Sequence, residues 1–174
     1  MANDWQRFRW NLDNYLDESS LSMPPFIFRT AESNELAIVL RVVSSALLME
    51  RAWTFKDASF RRDLEKRCEQ AFESKPPSCM VVQHGARVIG ASVLNLDETA
   101  DAQLTTGPCI LHEYRCRGLG SALLGASLQF LHEQGLKQAS ALALANSVAD
   151  RYVYRKFGSL REPAIVAPEP RLAA

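Results

Sequence analysis

The sequence predicts one domain of the mixed α/β (α+β) class, in which helices cover a β-sheet. Three observations lead to this class. The chain has 174 residues, a length that suits a single domain. Some segments carry apolar residues at helical spacing, whereas others are short runs rich in β-branched residues. The two kinds of segment alternate along the chain in the order α, β, α, α, β, β, β, α, β, α, β.

Each predicted element follows from the spacing of its apolar residues and from the Gly, Pro or polar residues at its ends. Apolar side chains at Trp5, Phe8 and Leu12 predict an N-terminal helix over residues 4–16. The other predicted helices cover residues 32–50, 57–73, 118–134 and 147–157, and the predicted strands cover residues 26–30, 80–83, 88–94, 104–111, 139–145 and 164–167. The chain is therefore divided into an N-terminal helical extension, residues 1–25, and a single domain, residues 26–174.

Charge and composition argue against several classes of protein. Twenty Lys and Arg residues balance 20 Asp and Glu residues, so general affinity for nucleic acid or for anionic membranes is not expected. No apolar run reaches the roughly 18 residues of a membrane span, and the first ten residues do not resemble a secretory signal. The four cysteines have neither Cys-x-x-Cys nor metal-ligand spacing. We expect reduced thiols, no bound metal and a cytoplasmic protein.

The most informative segment runs from Ile110 to Leu124. An apolar strand ends, Arg115 and Arg117 follow, and a helix begins inside the turn Gly118-Leu119-Gly120. Glycines permit positive φ angles and let a ligand approach the backbone. The first turn of a helix presents free N–H groups and partial positive charge. The pattern therefore predicts an anion site suited to a phosphate or a pyrophosphate.

Two known phosphate motifs fit this segment poorly. A Walker loop needs a lysine, and none follows Gly120. A dinucleotide-binding turn needs a small residue where Leu123 stands and an acid near the end of the next strand, and residues 139–146 contain no acid. On these residues alone, a helix start with surface arginines is the remaining alternative.

The same segment resembles the acetyl-CoA-binding motif of the GNAT superfamily of N-acyltransferases, Val-x-Pro-Glu-Tyr-Arg-Gly-Arg-Gly-Ile-Gly-x-x-Leu-Leu. Ile110 takes the Val position, His112 replaces Pro and Cys116 replaces Gly, while Glu113, Tyr114, Arg115, Arg117, Gly118 and Gly120 match directly. Downstream, Asn146 follows the apolar strand, and Tyr154-Arg-Lys-Phe-Gly158 resembles the family motif Tyr-x-x-x-Gly. The Asn-to-Tyr spacing is one residue longer than usual, so Tyr152 stays an alternative to Tyr154.

The resemblance implies a mainly antiparallel twisted sheet flanked by helices, with acetyl-CoA as cosubstrate and no metal. It implies that the diphosphate lies on main-chain N–H groups of the segment Arg117, Gly118, Leu119, Gly120 and Ser121, assisted by Arg115. The pantetheine arm would follow Ile110 and Leu111, Asn146 would also contact the cofactor, and Tyr154 would protonate the sulfur. The implied activity is acetyl transfer to a primary amine of a small molecule or a protein. A non-catalytic acyl-CoA-binding sensor or regulatory module is the alternative.

Two features stay open at the level of sequence. The general base is not identified: His112, Glu113, the acids at 97, 98 and 101, and the acids at 32, 35 and 50 are all candidates, and Trp53 and Phe55 could line the acceptor pocket. Only 16 residues, three of them prolines, follow Gly158, where the family usually has two strands. The shortened end leaves the cleft open, is completed by a second subunit in a homodimer, or is covered by the N-terminal helix.

Overall fold

A computed structural model describes residues 5–14, 22–50 and 58–164 of the chain. The elements in these ranges are β1 (Trp5–Asn11), β2 (Phe26–Thr30), α1 (Leu36–Leu48), α2 (Ala58–Glu73), β3 (Cys79–His84), β4 (Arg87–Val93), β5 (Cys109–Ile110), α3 (Leu119–Glu133), β6 (Gln138–Leu144) and β7 (Leu160–Pro163). A 3₁₀ turn covers His112–Tyr114, and a π-helical turn covers Ala149–Val153. The predicted class, antiparallel sheets flanked by helices, is confirmed.

The strands form two antiparallel sheets. The first has four strands in the order β2-β3-β4-β5, and the second has three in the order β6-β1-β7. The sheets meet where the N–H groups of Gln103 and Leu104 donate to the Ser140 carbonyl at 3.0 and 3.1 Å. The Ser140 N–H in turn donates to Gln103 Oε1 at 2.9 Å. No ladder joins β5 to β6 in the described part of the chain, so the sheets diverge beyond this junction.

The predicted N-terminal helix is wrong, because residues 5–11 form a strand. Phe8, Trp10 and Leu12 are buried, whereas Arg9 and Asn11 between them are exposed, which is the period of a half-buried strand. The spacing of Trp5, Phe8 and Leu12 also fits a helix, so the segment carries both periods. Pairing with β6 on one side and β7 on the other decides in favour of the strand. Tyr15 and Leu16 lie outside the described residues.

β1 lies beside the shortened C-terminal region, where the sequence left an open cleft, a second subunit or an N-terminal helix as alternatives. β1 sits between β6 and β7 and pairs with both, so a strand rather than a helix covers the predicted gap. The terminal strand is found at Leu160–Pro163 instead of 164–167, and residues 165–167 lie outside the described ranges. The division at residue 25 and the homodimer stay predictions.

Two other elements are shorter than predicted. The strand expected over 104–111 contains only Cys109–Ile110, preceded by a single bridge between Leu94 and Leu104. Gly107 interrupts it with a φ of 64°. The helix expected over 147–157 is reduced to the π-helical turn, and Gly158 with a φ of 68° follows it.

The core lies on both faces of the first sheet. Met80 and Val82 of β3 pack in a cluster with α3, whereas Cys79 and Val81 pack in a second cluster with α1 and α2. Buried side chains of β1 and β6 extend the α3 cluster beneath the second sheet. The beginning of α3 and the end of α1 therefore approach the short strand β5 from opposite faces.

Candidate functional site

Main-chain groups line the gap between β5 and β6. The Leu111 N–H donates to the Ile89 carbonyl of β4 at 2.9 Å. Because neighbouring residues of a strand direct their N–H and C=O groups to opposite sides, those of Ile110 point away from β4 and toward β6. On β6, the Ser140 carbonyl faces the junction, so Leu142, two residues later, presents its polar groups on the same side. The gap thus has hydrogen-bonding capacity on both of its edges.

The glycine turn places a helix N-terminus next to this gap. Gly118 is the residue before α3 and adopts a left-handed φ of 79°, and Cys116 also has a positive φ, of 61°. The Leu119 side chain is buried, so this residue can offer only its main chain to a ligand. The first-turn N–H groups of Leu119, Gly120 and Ser121 have no helical partners by geometry. The helix therefore begins at the predicted glycine turn, and anion binding by that turn stays a prediction.

Tyr114 and Glu113 fix the turn to the β3–β4 hairpin. The Tyr114 hydroxyl lies 3.2 Å from His84 Nδ1, and the Arg117 guanidinium lies over the Tyr114 ring at 5.5 Å. Arg87 pairs with the Glu113 carboxylate at 3.0 Å. Its own main-chain N–H, together with Arg87, holds the pKa of Glu113 below its usual range. Glu113 therefore belongs to the structural support of the turn and is a poor proton acceptor.

The two predicted arginines lie differently. Arg115 turns inward, donating from Nε to the Ile110 carbonyl at 3.2 Å and from Nη2 to the Ala46 carbonyl at 3.0 Å. It therefore ties β5 to the last turn of α1. Arg117 stays exposed at the turn, where Nη2 donates to the Glu113 carbonyl at 3.3 Å. Of the two, Arg117 is the guanidinium available to an anion on the turn.

Tyr154 is buried where the two sheets meet, with 3% of its surface exposed. Its ring lies 5.5 Å from Phe8 and 5.6 Å from Trp10, and its hydroxyl lies against Gly107. Burial raises the pKa of the Tyr154 hydroxyl, so the group is protonated at neutral pH. Tyr152, the alternative, is exposed on the surface. The two tyrosines thus occupy opposite environments.

Asn146 begins the turn that follows β6. It is exposed, has a left-handed φ of 65° and donates its N–H to Asp150 Oδ2 at 2.7 Å. The fully buried Asp150 also accepts from Arg155 at 3.2 Å and from Arg161 at 3.1 Å. Sequence analysis missed Asp150; an acid four residues after an asparagine at a strand end is the only signal that could have suggested it.

Glu50, one of the acids considered as a base, differs from the other candidates because burial raises its pKa. It follows the end of α1, and its N–H donates to the Leu47 carbonyl at 3.0 Å. Its carboxylate interacts electrostatically with Arg115, the Cys109 thiol and the Tyr154 hydroxyl. Burial raises the pKa of Glu50 above its ordinary value, although Arg115 opposes this shift. The raised pKa makes the Glu50 carboxylate a better proton acceptor than an ordinary glutamate.

The other candidate bases are less well placed. Glu35 pairs with Arg29 at 2.6 Å, and this hydrogen-bonded pair lowers the pKa of Glu35. Asp97 accepts from the Thr99 hydroxyl and N–H, which lower its pKa. His112 and Glu32 are exposed. Trp53 and Phe55 lie outside the described residues.

The family of the protein follows from a match between its sequence and a protein-family model. The model of the acetyltransferase (GNAT) family matches residues 44–158, more than half of the chain. The chain belongs to the GNAT acetyltransferase family. The match includes the glycine turn, Asn146 and Tyr154, and it begins within α1.

Solved structures share the fold of this GNAT chain. A GCN5-related N-acetyltransferase from Sphaerobacter thermophilus has 16% sequence identity and a TM-score of 0.64, over 92% of this chain and 49% of that one. A glucosamine N-acetyltransferase region in a fungal multi-domain GH3 β-N-acetylglucosaminidase has 13% identity and a TM-score of 0.64, over 94% and 20% of the two chains. At these identities the likeness shows the fold alone, and the chain spans about half or less of these relatives. No curated protein matches the sequence.

Two features are absent from residues 5–14, 22–50 and 58–164. No helix there is long and apolar enough to cross a bilayer. The same ranges hold no group of three or more His, Cys, Asp or Glu side chains arranged to bind a metal ion.

Proposed function

We propose that this GNAT chain transfers an acetyl group from acetyl-CoA to a primary amine of a small molecule or a protein. One structural conjunction carries the proposal: the glycine turn and the polar edge of Ile110 adjoin the same gap between β5 and β6. A diphosphate requires N–H donors in a concave turn, and the amides of a pantetheine arm require a free strand edge. The left-handed Gly118 fits the first requirement. The Ile110 N–H fits the second, while the Ile110 carbonyl also accepts a hydrogen bond from Arg115.

The residues that would hold the cosubstrate follow from this geometry. The N–H groups from Arg117 to Ser121 would bind the diphosphate, with the exposed Arg117 side chain supplying positive charge. Ile110 and Leu111 would accompany the pantetheine arm, and the Ile110 N–H would polarise the thioester carbonyl. We assign Arg115 a positioning role, because its guanidinium holds the Ile110 carbonyl. Asn146, at the opposite edge of the gap, stays in the proposed binding set.

The reaction needs a neutral amine and a protonated leaving group. An alkylamine has a pKa near 10.4 and is mostly charged at pH 7, so a base must accept its proton. We propose Glu50 for this role, because burial raises its pKa and its carboxylate interacts electrostatically with Cys109 and Tyr154. When bound, acetyl-CoA supplies the activated acetyl group. The Tyr154 hydroxyl, which is uncharged at neutral pH, is proposed to donate a proton to the departing sulfur.

A non-catalytic acyl-CoA-binding sensor is the second candidate. The burial of Tyr154 favours it, because a hydroxyl held against Gly107 can serve packing alone. In that case the same turn and strand edge would bind the cosubstrate, and no acceptor would be modified.

One experiment separates these candidates. Acetyl-CoA binding is measured by calorimetry, while thiol release and acetylated product are followed with a panel of amines. Binding together with amine-dependent thiol release is the expected result. Binding without turnover on any amine supports the sensor. Absence of binding at saturating acetyl-CoA contradicts both, because both require the diphosphate on the glycine turn.

Three further features belong to the proposal. We propose a cytoplasmic enzyme that requires no metal. Residues 26–174 are proposed to carry the acetyl-CoA site, with β1 contributed by the preceding segment. We also propose a homodimer, and the molecular mass of the protein in solution would test this.

A further inference from the structure

A polar cavity of about 510 Å³ lies at the closed end of the gap, where the two sheets join. It opens on the face of β1 and β6 that carries Arg7, Arg9 and Ser140. Phe8 and Trp10 point to the opposite face, toward α3. The connection between β4 and β5 covers the cavity with residues 98–101 and 103. Its volume suits a small molecule rather than a folded partner.

Arg7 stands out among the groups that line this cavity. Its Nε atom is buried and has no hydrogen-bond partner, and no ion pair joins its guanidinium within the described residues. A buried guanidinium N–H without an acceptor is costly, so such a group calls for a ligand or an ordered water. Arg9 differs, because it pairs with Glu162 at 2.9 Å.

The other charged side chains around the cavity limit the number of negative charges that a ligand can carry. Lys137 is the third cation of the lining, after Arg7 and Arg9, whereas Glu98 and Asp101 are exposed acids in the covering connection. The Ser140 hydroxyl is already engaged, 2.9 Å from Gln103 Oε1 and 3.2 Å from the Asp101 carbonyl. One anionic group fits beside Arg7, because Glu162, which stands opposite Arg7 in the register of β1 and β7, is paired with Arg9. Glu98, Asp101 and Glu162 together disfavour a ligand with several negative charges.

The lining of the cavity contains no residue of the proposed transfer site, but Arg7 is the β1 residue of the lining that lies nearest to it along the strand. Arg7 is paired with Leu142 across β1 and β6, and directly opposed residues direct their side chains to the same face. Leu142 is also the β6 residue whose main chain faces the Ile110 edge. A ligand anchored by its anion at Arg7 would therefore extend along β6 toward the gap.

We propose that this cavity binds the carboxylate or phosphate of a small acceptor, so that the substrate class is an amine carrying a single anionic group. The inference rests on the proposed acetyl transfer for the role of the amine. It rests on Arg7 alone for the recognition of the anion. Arg7 would supply a charge-assisted hydrogen bond from the Nε atom that lacks a partner.

The test compares matched amines as acceptors. The pairs are 4-aminobutanoate with butylamine, and phosphoethanolamine with ethanolamine. We expect kcat/KM to be at least tenfold higher for the anionic member of a pair. In Arg7→Gln the ratio within each pair should fall to near one, and Arg7→Lys, which keeps the charge, should retain part of the preference. Arg67→Gln is the control, because Arg67 is an exposed α2 residue paired with Asp63 and should leave both rates and ratio unchanged.

A binding measurement makes the test independent of turnover. Calorimetry or ligand-observed NMR follows 4-aminobutanoate with wild type, Arg7→Gln and Arg7→Lys, after thermal unfolding shows which variants are folded. Binding to wild type that Arg7→Gln abolishes supports the anion site, even if no amine is acetylated and the proposed function fails. Should Arg7→Gln not fold, weaker binding to Arg7→Lys than to wild type supports the site.

Other results would overturn the anion site. Acetylation without preference for the anionic amine contradicts it and leaves the proposed function standing. Equal binding of 4-aminobutanoate to wild type and to the folded Arg7 variants also contradicts it, as does the absence of both preference and binding in wild type.

Discussion

The Tyr154 hydroxyl lies against Gly107, so close that any side chain at position 107 would overlap it. Gly107 also has a φ of 64°, which disfavours other residues independently of space. Gly107 precedes β5, whereas Tyr154 follows the π-helical turn beyond β6. This contact therefore fixes the two edges of the gap to one another near the junction of the sheets.

The first prediction concerns this contact and compares two glycines. Gly85→Ala should cost about 1–2 kcal/mol of unfolding free energy, because Gly85 has a φ of 58° but open space around it. Gly107→Ala adds an overlap to the same backbone strain and should cost about 1–3 kcal/mol more. Urea unfolding measures both values, and equal losses would contradict the contact.

A double mutant sharpens this prediction. Tyr154→Phe removes the hydroxyl that the new methyl group would meet, so Gly107→Ala should be less costly in the Tyr154→Phe background by about 1 kcal/mol. An unchanged cost in that background would mean that the hydroxyl does not lie against Gly107.

The second prediction concerns the proposed acid. Tyr154→Phe should lower kcat at least tenfold, because proton transfer by a positioned group contributes about 10²–10⁴-fold. Its affinity for acetyl-CoA, measured by calorimetry, should change little. Tyr152→Phe is the matched control, because Tyr152 is 64% exposed and should keep full turnover. Full activity in Tyr154→Phe would leave that residue a packing role and move the search for the acid elsewhere.

The third prediction concerns the glycine turn. A β-carbon at Gly120 would lie 3.7 Å from Val153 Cγ2, which is an ordinary contact, so Gly120→Ala should fold normally and retain acetyl-CoA binding. Gly120→Glu places a carboxylate beside the proposed diphosphate and should abolish detectable binding while the protein still folds. Calorimetry with circular dichroism checks both variants. Tight binding by Gly120→Glu would refute the placement of the diphosphate.

The fourth prediction concerns the pH dependence of the proposed base. Glu50 must be ionised to accept the amine proton, so kcat/KM should rise with pH through the pKa of Glu50. Burial raises that pKa, so this limb should lie above the range of an ordinary glutamate. Glu50→Gln should remove the limb and lower the rate at least tenfold near neutral pH. Glu32→Gln, which changes an exposed acid, is the control. A limb that persists in Glu50→Gln assigns the base to another group or to water.

The correct predictions from the sequence depend on residues that are close together in the chain. The conformation of the glycine turn could be predicted, because the segment Gly118-Leu119-Gly120 encodes it directly. The two-faced burial of β3 and the amphipathic pattern of α2 likewise leave a local periodicity. Each of these features is determined within about 20 residues of chain.

The errors arose where distant pairing decides the structure. Residues 5–11 fit two periods, and only β6 and β7, more than 120 residues away in sequence, select the strand. Arg115 was expected to face the ligand, yet the Ala46 carbonyl, 69 residues away in the sequence, draws its guanidinium inward. Asp150 was missed because its partner Arg161 becomes a neighbour only through β7. Such contacts leave no periodic trace in one sequence.

The last prediction concerns Asp150, which holds together the elements at the end of the chain. Its carboxylate accepts hydrogen bonds from the Asn146 N–H, Arg155 and Arg161 while fully buried. Burial by itself would raise the pKa of Asp150, but these donors outweigh it and lower the pKa. Asp150→Asn replaces an anionic acceptor by an amide and should cost about 2–3 kcal/mol of unfolding free energy.

The lowered pKa also fixes how this contribution depends on pH. A carboxylate with a lower pKa in the folded state stabilises the protein above its unfolded pKa of about 3.9 and loses this effect as the pH falls through the folded value. Wild type should therefore lose stability more steeply below about pH 4 than Asp150→Asn. Asp13→Asn, a change at an exposed acid, should keep the wild-type slope. Parallel slopes for wild type and Asp150→Asn would show that the Asp150 carboxylate is not held in its charged form by Asn146, Arg155 and Arg161.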